Sequence, residues 1–240
     1  MKTEENQLFF SIVIPAHNEE KYIIPTLEHI RDLDYPKNKI EVVVVENGSK
    51  DNTFSIAKKF ESENTRIVSL PQSGVSHAKN EGIKMISSKS DWTVMLDADT
   101  ILKKDFLNEL NTYLLKKSST KYSIGTTTIL PIPDSLKARL WYSFYDIGHR
   151  LTKASYAIQI AKTSVLKQFK FDEALHMGED LHLIAFSLKS GKFFVFKTKN
   201  VLTSTRRFED EGWWRILFIW TFVAMLPNSF KKWFAYKVVR

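Results

Sequence analysis

Residues 40–53 read IEVVVVENGSKDNT. Ile40–Val45 is a β-branched run interrupted only by Glu41, the pattern of a strand buried on both faces. It stops at Glu46. The following ENGSKDNT is a turn and a helix start, with Ser49 or Asp51 as N-cap candidates. Upstream, Phe10–Ile14 is strand-like and ends at Pro15, and Tyr22, Ile23, Leu27 and Ile30 mark a helix. Downstream, a helix carries Phe54, Ala57 and Phe60, Arg66–Leu70 is a third strand and Ser76–Ile86 is helical. Thr93–Leu96 is a fourth strand, followed by a helix over Phe106–Leu115. Strand and helix alternating at this spacing predict an α/β fold, a mostly parallel central sheet flanked by helices.

Ligands of such sheets bind beyond the carboxyl ends of the strands. The segments there are PAHNE (15–19), ENGS (46–49), PQSG (71–74) and DAD (97–99). Asp97 and Asp99 are two residues apart, so in extended chain their side chains share one side. Two carboxylates at the end of a core strand repel unless a positive group lies between them. Mg²⁺ is bound by one or two carboxylates completed by substrate phosphates and water. The spacing alone is served equally well by Asp97 capping a turn and Asp99 starting a helix.

The second half is less regular. Asp134–Lys153 reads as a helix with Leu136, Leu140, Phe144, Ile147 and Leu151 near one face and Trp141, Tyr142 and Tyr145 on the other surface. SYAIQIAK (155–162) and KFFVFKTK (192–199) read as strands. GEDLHLIAFSLKSG (178–191) opens a helix at Glu179 and Asp180 that Gly191 ends.

The 240 residues, 43% hydrophobic and 13% aromatic, suit one α/β domain with a modest appendage. The absence of cysteine excludes disulfides and cysteine-ligated zinc. The polar start MKTEENQLFF lacks the features of a secretory signal, so a cytoplasmic location is expected. Lys+Arg and Asp+Glu balance at 24 each over residues 1–188, whereas residues 189–240 hold 11 against 3, the whole net charge of +8. This basic region carries Trp213, Trp214, Trp220 and Trp233 among several phenylalanines. Ile216–Leu226 is too short for the ~20 residues of a bilayer span. An interfacial or partner-packing helix is expected there, with ordinary core packing as the competing reading. His17, His29, His77, His149 and His182 show no metal-ligand spacing; His176, near Asp180, is read as a loop histidine ahead of one that approaches a metal or acceptor. No phosphate-loop, dinucleotide-binding or nucleic-acid-binding signature is present, so no nucleic-acid partner is expected.

Six segments stand in a recognisable order: SIVIPAHNEEKYIIPTLEHI, EVVVVENGSKDNT, SGVSHAKNEGI, WTVMLDADTI, FDEALHMGEDLHL and TSTRRF. Together, over about residues 9–210, they resemble family-2 glycosyltransferases with the GT-A fold. The resemblance implies that Pro15, Ala16, Asn18 and Glu19 border the base and ribose of a nucleotide. Glu46 stands where the family usually has an aspartate that reads the base edge, and Lys79 where it usually has an arginine near the nucleotide. Asp97 and Asp99 match its D-x-D motif, which implies a Mg²⁺ or Mn²⁺ ion on the sugar-donor diphosphate, with Asp99 on the ion and Asp97 nearer the ribose or the ion. Asp180 matches its catalytic base, with Glu179 as the second candidate, and Arg206 and Arg207 suit a diphosphate. The family's QxxRW-like signature is incomplete here.

The expectation is an inverting, metal-dependent transfer from a nucleotide-diphospho sugar to a saccharide or lipid-linked acceptor. Residues 1–210 would form the transferase domain. Residues 211–240 would form an amphipathic, basic helical extension making peripheral contact at the cytoplasmic face of a membrane. Two alternatives stand beside it: a polyprenyl-phosphate sugar synthase, and a catalytically silent module that binds sugar nucleotide.

Overall fold

A computed structural model describes residues 7–116, 121–155, 157–175 and 178–225. The first half alternates strictly. β1 (Phe10–Ala16) leads to α1 (Ile23–Arg31), and a short 3-10 turn precedes β2 (Ile40–Asn47). Then come α2 (Thr53–Lys58), β3 (Thr65–Leu70), α3 (Val75–Met85) and β4 (Trp92–Leu96). Next are β5 (Thr100–Leu102), α4 (Phe106–Lys116), β6 (Tyr122–Thr127), β7 (Leu130–Ile132) and α5 (Leu136–Thr152). The chain continues through β8 (Ile158–Lys162), α6 (Thr163–Leu166), α7 (Glu179–Ser187), β9 (Lys192–Phe196) and β10 (Val201–Ser204), and then α8 (Arg206–Glu211) and α9 (Trp213–Met225).

Seven strands form the central sheet in the order β3-β2-β1-β4-β8-β6-β9. β3, β2, β1 and β4 are parallel; β8 runs against both its neighbours, and β6 and β9 are parallel. A second sheet of β5, β10 and β7 lies apart. The apolar runs explain β1, β2 and β4, because strands covered on both faces take apolar side chains at most positions; β3, at the sheet edge, is largely uncovered. Alternation divides them between two cores. Ile12, Ile14, Val42, Val44, Val94 and Leu96 pack on one side with α1 and α4 residues such as Leu27, Phe106 and Leu110. Val13, Val43, Val45 and Met95 pack on the other with Ala78 and Ile83 of α3 and Leu183 of α7. Gly82 lets α3 lie close to the sheet: a Cβ there would come within 2.5 Å of Val13 Cγ1.

The predicted helix over 134–153 is α5, capped by Ser135, whose Oγ accepts from the Ala138 N–H. Its buried side is Ala138, Tyr142 and Tyr145; the leucine-rich face points outward. α9 packs beside it through ring contacts of Trp141 with Trp213 and Trp214 and of Tyr145 with Trp220. No helix among the described residues is long and apolar enough to cross a membrane. His176 and residues 226–240, with Trp233, lie outside the described residues.

Candidate active site

Strand register brings four turns to one edge. Ala16 lies opposite Glu46 across β1 and β2, and Val13 opposite Met95 across β1 and β4. The turns after these strands therefore emerge side by side. Asn18 adopts a left-handed backbone (φ 56°), which asparagine tolerates better than most residues. Its N–H donates to Ser49 Oγ at 3.0 Å, and its side-chain oxygen accepts from the Lys50 N–H at 2.8 Å. His17 Nδ1 donates to the Asn47 carbonyl and its Nε2 accepts from the Asn18 amide, each at 2.7 Å. The Glu19 N–H donates to Thr53 Oγ1 at 2.7 Å. These bonds stitch the β1 and β2 turns into one wall. Glu46 is buried, and its two oxygens accept from the Ser49 N–H and the Ser69 hydroxyl, both at 2.5 Å.

The DAD turn is held from three directions. The Asp97 N–H donates to the Ala157 carbonyl at 2.9 Å, the Thr100 N–H to the Asp97 carbonyl at 3.1 Å, and Thr26 Oγ1 to the Ala98 carbonyl at 2.8 Å. Arg206, at the start of α8, reaches this turn from the far end of the chain. Its Nε lies 2.9 Å from Asp99 Oδ2, its Nη2 donates to Glu19, and its guanidinium stacks 4.2 Å from the Tyr22 ring centroid. Glu19 Oε2 and Arg206 Nη1 are buried without a hydrogen-bond partner in the protein. Buried polar groups are normally satisfied, so an unfilled acceptor and an unfilled guanidinium donor beside Asp99 are groups a ligand can take. Arg207 pairs with Glu211 at 3.4 Å, and its charge also acts on Asp97.

A third group comes from α3 and α7. Gly178, in a left-handed conformation (φ 80°), turns the chain into α7. Lys79 Nζ donates to Glu179 Oε1 at 2.9 Å and to Asp180 Oδ1 at 2.6 Å. Lys79 and Glu179 are buried, while the Asp180 side chain keeps 29% of its surface exposed. Pro15, Lys79, Asp97, Ala157, Gln159 and Asp180 are among the walls of one small crevice that opens to solvent.

The electrostatics follow from this crowding. Burial would lower Lys79, but Asp180 and Glu179 hold its ammonium well above the ordinary lysine range. Burial would raise Glu179, yet the charge and hydrogen bond of Lys79 outweigh it and hold the carboxyl below its usual range. Asp180 goes the other way: burial, with Glu179 beside it, raises it to about 6 against the pull of Lys79. Burial raises Glu19 to about 7 despite Arg206. Desolvation by the protein around it and the neighbouring Asp99 raise Asp97, a rise tempered by the solvent its carboxylate meets in the crevice.

The structure thus brings Pro15, Lys79, Asp97 and Asp180 around one crevice, and joins Glu19, Asp99 and Arg206 beside it. Gln159 is not singled out by the sequence, and Tyr22 is marked there only as a helix residue. Gln159 lies opposite Met95, donates to Ser155 Oγ at 2.7 Å, and leaves its side-chain oxygen buried and unpartnered. A single glutamine within a β-branched strand carries no sequence signal. Trp213 and Trp214 pack against Trp141.

No group of three or more His, Cys, Asp or Glu side chains able to hold a metal occurs among the described residues. The donors at the DAD turn are two carboxylates. They suit a hard divalent cation whose remaining ligands come from phosphates and water.

Comparisons with known proteins bear on the family and the fold. A dolichyl N-acetyl-α-D-glucosaminyl phosphate 3-β-D-2,3-diacetamido-2,3-dideoxy-β-D-glucuronosyltransferase of Methanococcus voltae is 27% identical over 82% of this chain and 66% of its own length. The poly(ribitol-phosphate) β-N-acetylglucosaminyltransferase TarS of Staphylococcus aureus is 24% identical over 82% of this chain and 36% of its own. The chain thus spans about two thirds of the first relative and about one third of the second. The crystal structure of TarS 1–349 with UDP-GlcNAc superimposes with a TM-score of 0.67 at 19% identity, covering 93% of this chain and 69% of that one. The mannosyltransferase PcManGT of Pyrobaculum calidifontis, solved with GDP-Man and Mn²⁺, gives 0.65 at 20% identity over 82% of this chain and 56% of that one. At such identities the likeness is one of fold, and it shows the GT-A fold expected from the sequence. The profile of glycosyl transferase family 2 matches residues 11–174. This match covers more than half of the chain, and the chain belongs to glycosyl transferase family 2.

Proposed function

We propose that the chain transfers a sugar from a nucleotide-diphospho donor to a saccharide or lipid-linked acceptor with inversion, using Asp180 as the general base. The observation that carries this reading is that Asp97 and Asp180, from opposite halves of the chain, line the same crevice, together with Lys79, which donates to Asp180. Asp180 rather than Glu179 takes the role because Asp180 lines the crevice, while Glu179 is buried against Lys79. As the acceptor oxygen attacks the anomeric carbon, its proton passes to the Asp180 carboxylate. The new C–O bond forms on the face opposite the diphosphate, which departs with the electron pair of the bond that breaks. Lys79 keeps Asp180 oriented and favours its charged form before the proton arrives.

In this reading Arg206 and Arg207 contact the donor diphosphate, with the free Arg206 Nη1 as the first available donor. Pro15, Ala16, Asn18 and Glu19 border the base and ribose, and Glu46 and Lys79 support that wall. Asp97 and Asp99 would hold a Mg²⁺ or Mn²⁺ ion. Such an ion supplies positive charge against which a leaving diphosphate gains its own. Residues 1–210 act as the transferase domain and 211–240 as a basic extension that meets a membrane at its cytoplasmic face.

Asp180→Asn is the test. It should lower kcat by about 10²-fold or more while leaving donor affinity intact. Near-normal turnover with intact donor binding would overturn the base assignment. It would favour an acceptor that arrives already ionised, as in a polyprenyl-phosphate sugar synthase.

A further inference from the structure

α5 shows apolar side chains in two opposite directions. Inward, Ala138, Tyr142 and Tyr145 pack against the protein. Outward, Leu136, Leu140, Phe144, Ile147 and Leu151 share roughly 80° of helix circumference at 3.6 residues per turn. All five are exposed, Leu136 to 75% and Leu151 to 80%. Core packing accounts for the first face and leaves the second unexplained, since a soluble surface rarely gathers five large apolar groups on one stripe.

The stripe does not end with α5. The Phe144 ring meets Trp141, and Trp141 meets Trp214 of α9, with centroids 6.1 and 4.9 Å apart. Trp214 and Phe218 are exposed to 65% and 70%. Two neighbouring helices therefore share one outward apolar surface. Its edges are cationic. Lys137 follows on one side of the stripe and Arg139 and Arg150 on the other, all exposed, and α9 adds exposed Arg215. Lys137 also lies 4.7 Å from the Trp213 ring centroid. On α5, Asp134 is paired with Arg139 and Asp146 is half-buried; the exposed acids Glu209 and Asp210 lie on α8, where Glu209 accepts from the Thr205 hydroxyl.

We infer that the α5/α9 surface seats the protein on an anionic lipid surface. The apolar stripe enters the acyl boundary and the flanking Lys and Arg side chains meet the headgroups. Aromatic residues at the rim and cations beside a narrow apolar arc are the features of helices that lie in a membrane interface. Charge selects this occupant over a second copy, because two such surfaces face to face would set like cations against each other. Phe208 of α8 packs against Tyr142, Tyr145, Trp213 and Trp220, so the lipid-facing helices rest on the short helix that also carries Arg206. This locates the peripheral membrane contact of the proposed function. Its test reads vesicle binding rather than transfer, so each can fail without the other.

The experiment is co-sedimentation of the full chain with phosphatidylcholine vesicles, with and without phosphatidylglycerol. The inference expects strong pelleting only with the anionic vesicles. The triple variant Leu140→Glu, Phe144→Glu, Ile147→Glu should bind them at least about tenfold more weakly, since three apolar insertions are lost. Because all three positions are more than half exposed, the variant should stay folded and keep the parent's donor-induced thermal shift, its melting temperature lowered only by the lost contacts of Phe144 with Trp141 and Tyr145. The pair Lys137→Glu, Arg150→Glu should weaken binding and flatten its salt dependence. Three results would overturn the inference: no pelleting of the parent, equal pelleting of the triple variant, or a parent dimer that the triple variant dissociates without any vesicle binding.

Discussion

The Lys79 ammonium lies 2.6 Å from Asp180 Oδ1 and spends a second hydrogen bond on Glu179. One buried cation is therefore shared by two adjacent acids at the start of α7. Lys79→Met should destabilise the protein by about 3–5 kcal/mol, because it leaves two carboxylates uncompensated where water is scarce. The sign of its pH dependence follows from Glu179, which Lys79 holds below its usual range. That contribution is present above the unfolded glutamate range and lost as pH falls through the folded value. Chemical denaturation should therefore show the gap between parent and variant closing in acid.

Desolvation by the surrounding protein, with Glu179 beside it, raises Asp180 to about 6, a rise tempered by the 29% of its side chain that meets solvent. A base must be unprotonated to accept a proton, so kcat/KM should fall as pH drops below about 6, approaching tenfold per pH unit. In Asp180→Asn the residual rate should lose that limb. A pH–rate profile of both proteins is the measurement.

Asp97 is also raised, with Asp99 contributing. Protonation competes with a cation for the same oxygens, so Mn²⁺ should stabilise the protein more near about pH 8 than near about pH 5. Asp97→Asn should abolish the Mn²⁺-dependent part of the thermal shift produced by a nucleotide sugar. An unchanged shift would remove Asp97 from the cation site.

Arg206 joins Glu19 and Asp99 while stacking on Tyr22. Arg206→Ala should weaken donor binding and also lower stability by about 3 kcal/mol, since two acids lose their shared partner. Arg206→Lys keeps the charge but cannot fork to both, and should recover stability more than affinity. Calorimetric titration with a nucleoside diphosphate, alongside melting curves, separates the two effects.

Gly82→Ala tests the seating of α3. The added methyl would meet Val13 Cγ1 at 2.5 Å and push the helix off the sheet. A cost of about 1–3 kcal/mol is expected. Because α3 also carries Lys79, turnover should fall as well, whereas an exposed control such as Lys84→Ala should change neither.

β1, β2 and β4 were legible because strands buried on both faces spell nearly continuous apolar runs, as Ile40–Val45 does apart from Glu41; β3, partly exposed at the sheet edge, was legible from its place in the strand–helix alternation. β5, β7 and β10 were not. Three or four residues such as Thr100–Leu102 are too few to show a period, and their pairing depends on partners far along the chain. In α5 the sequence grouped the right residues by face but not the side that turns inward. Both arcs are apolar, and the deciding factor is the fit of Tyr142 and Tyr145 against Phe208. At the site, the strand-end acids announce themselves by position. The pairing of Asp99 with Arg206, and Gln159 on the crevice wall, arise only from tertiary contact.

The reversed direction of β8 has a structural corollary. A strand running against β4 starts where β4 finishes, so Ala157 and Gln159 of the later half stand beside Asp97 of the earlier half. The two halves of the molecule thus meet like the jaws of a vice, each presenting its own chain segment to one gap. Changes in the jaw formed by β8 and α7 can retune what is gripped on that side without disturbing the stitched turns of the other.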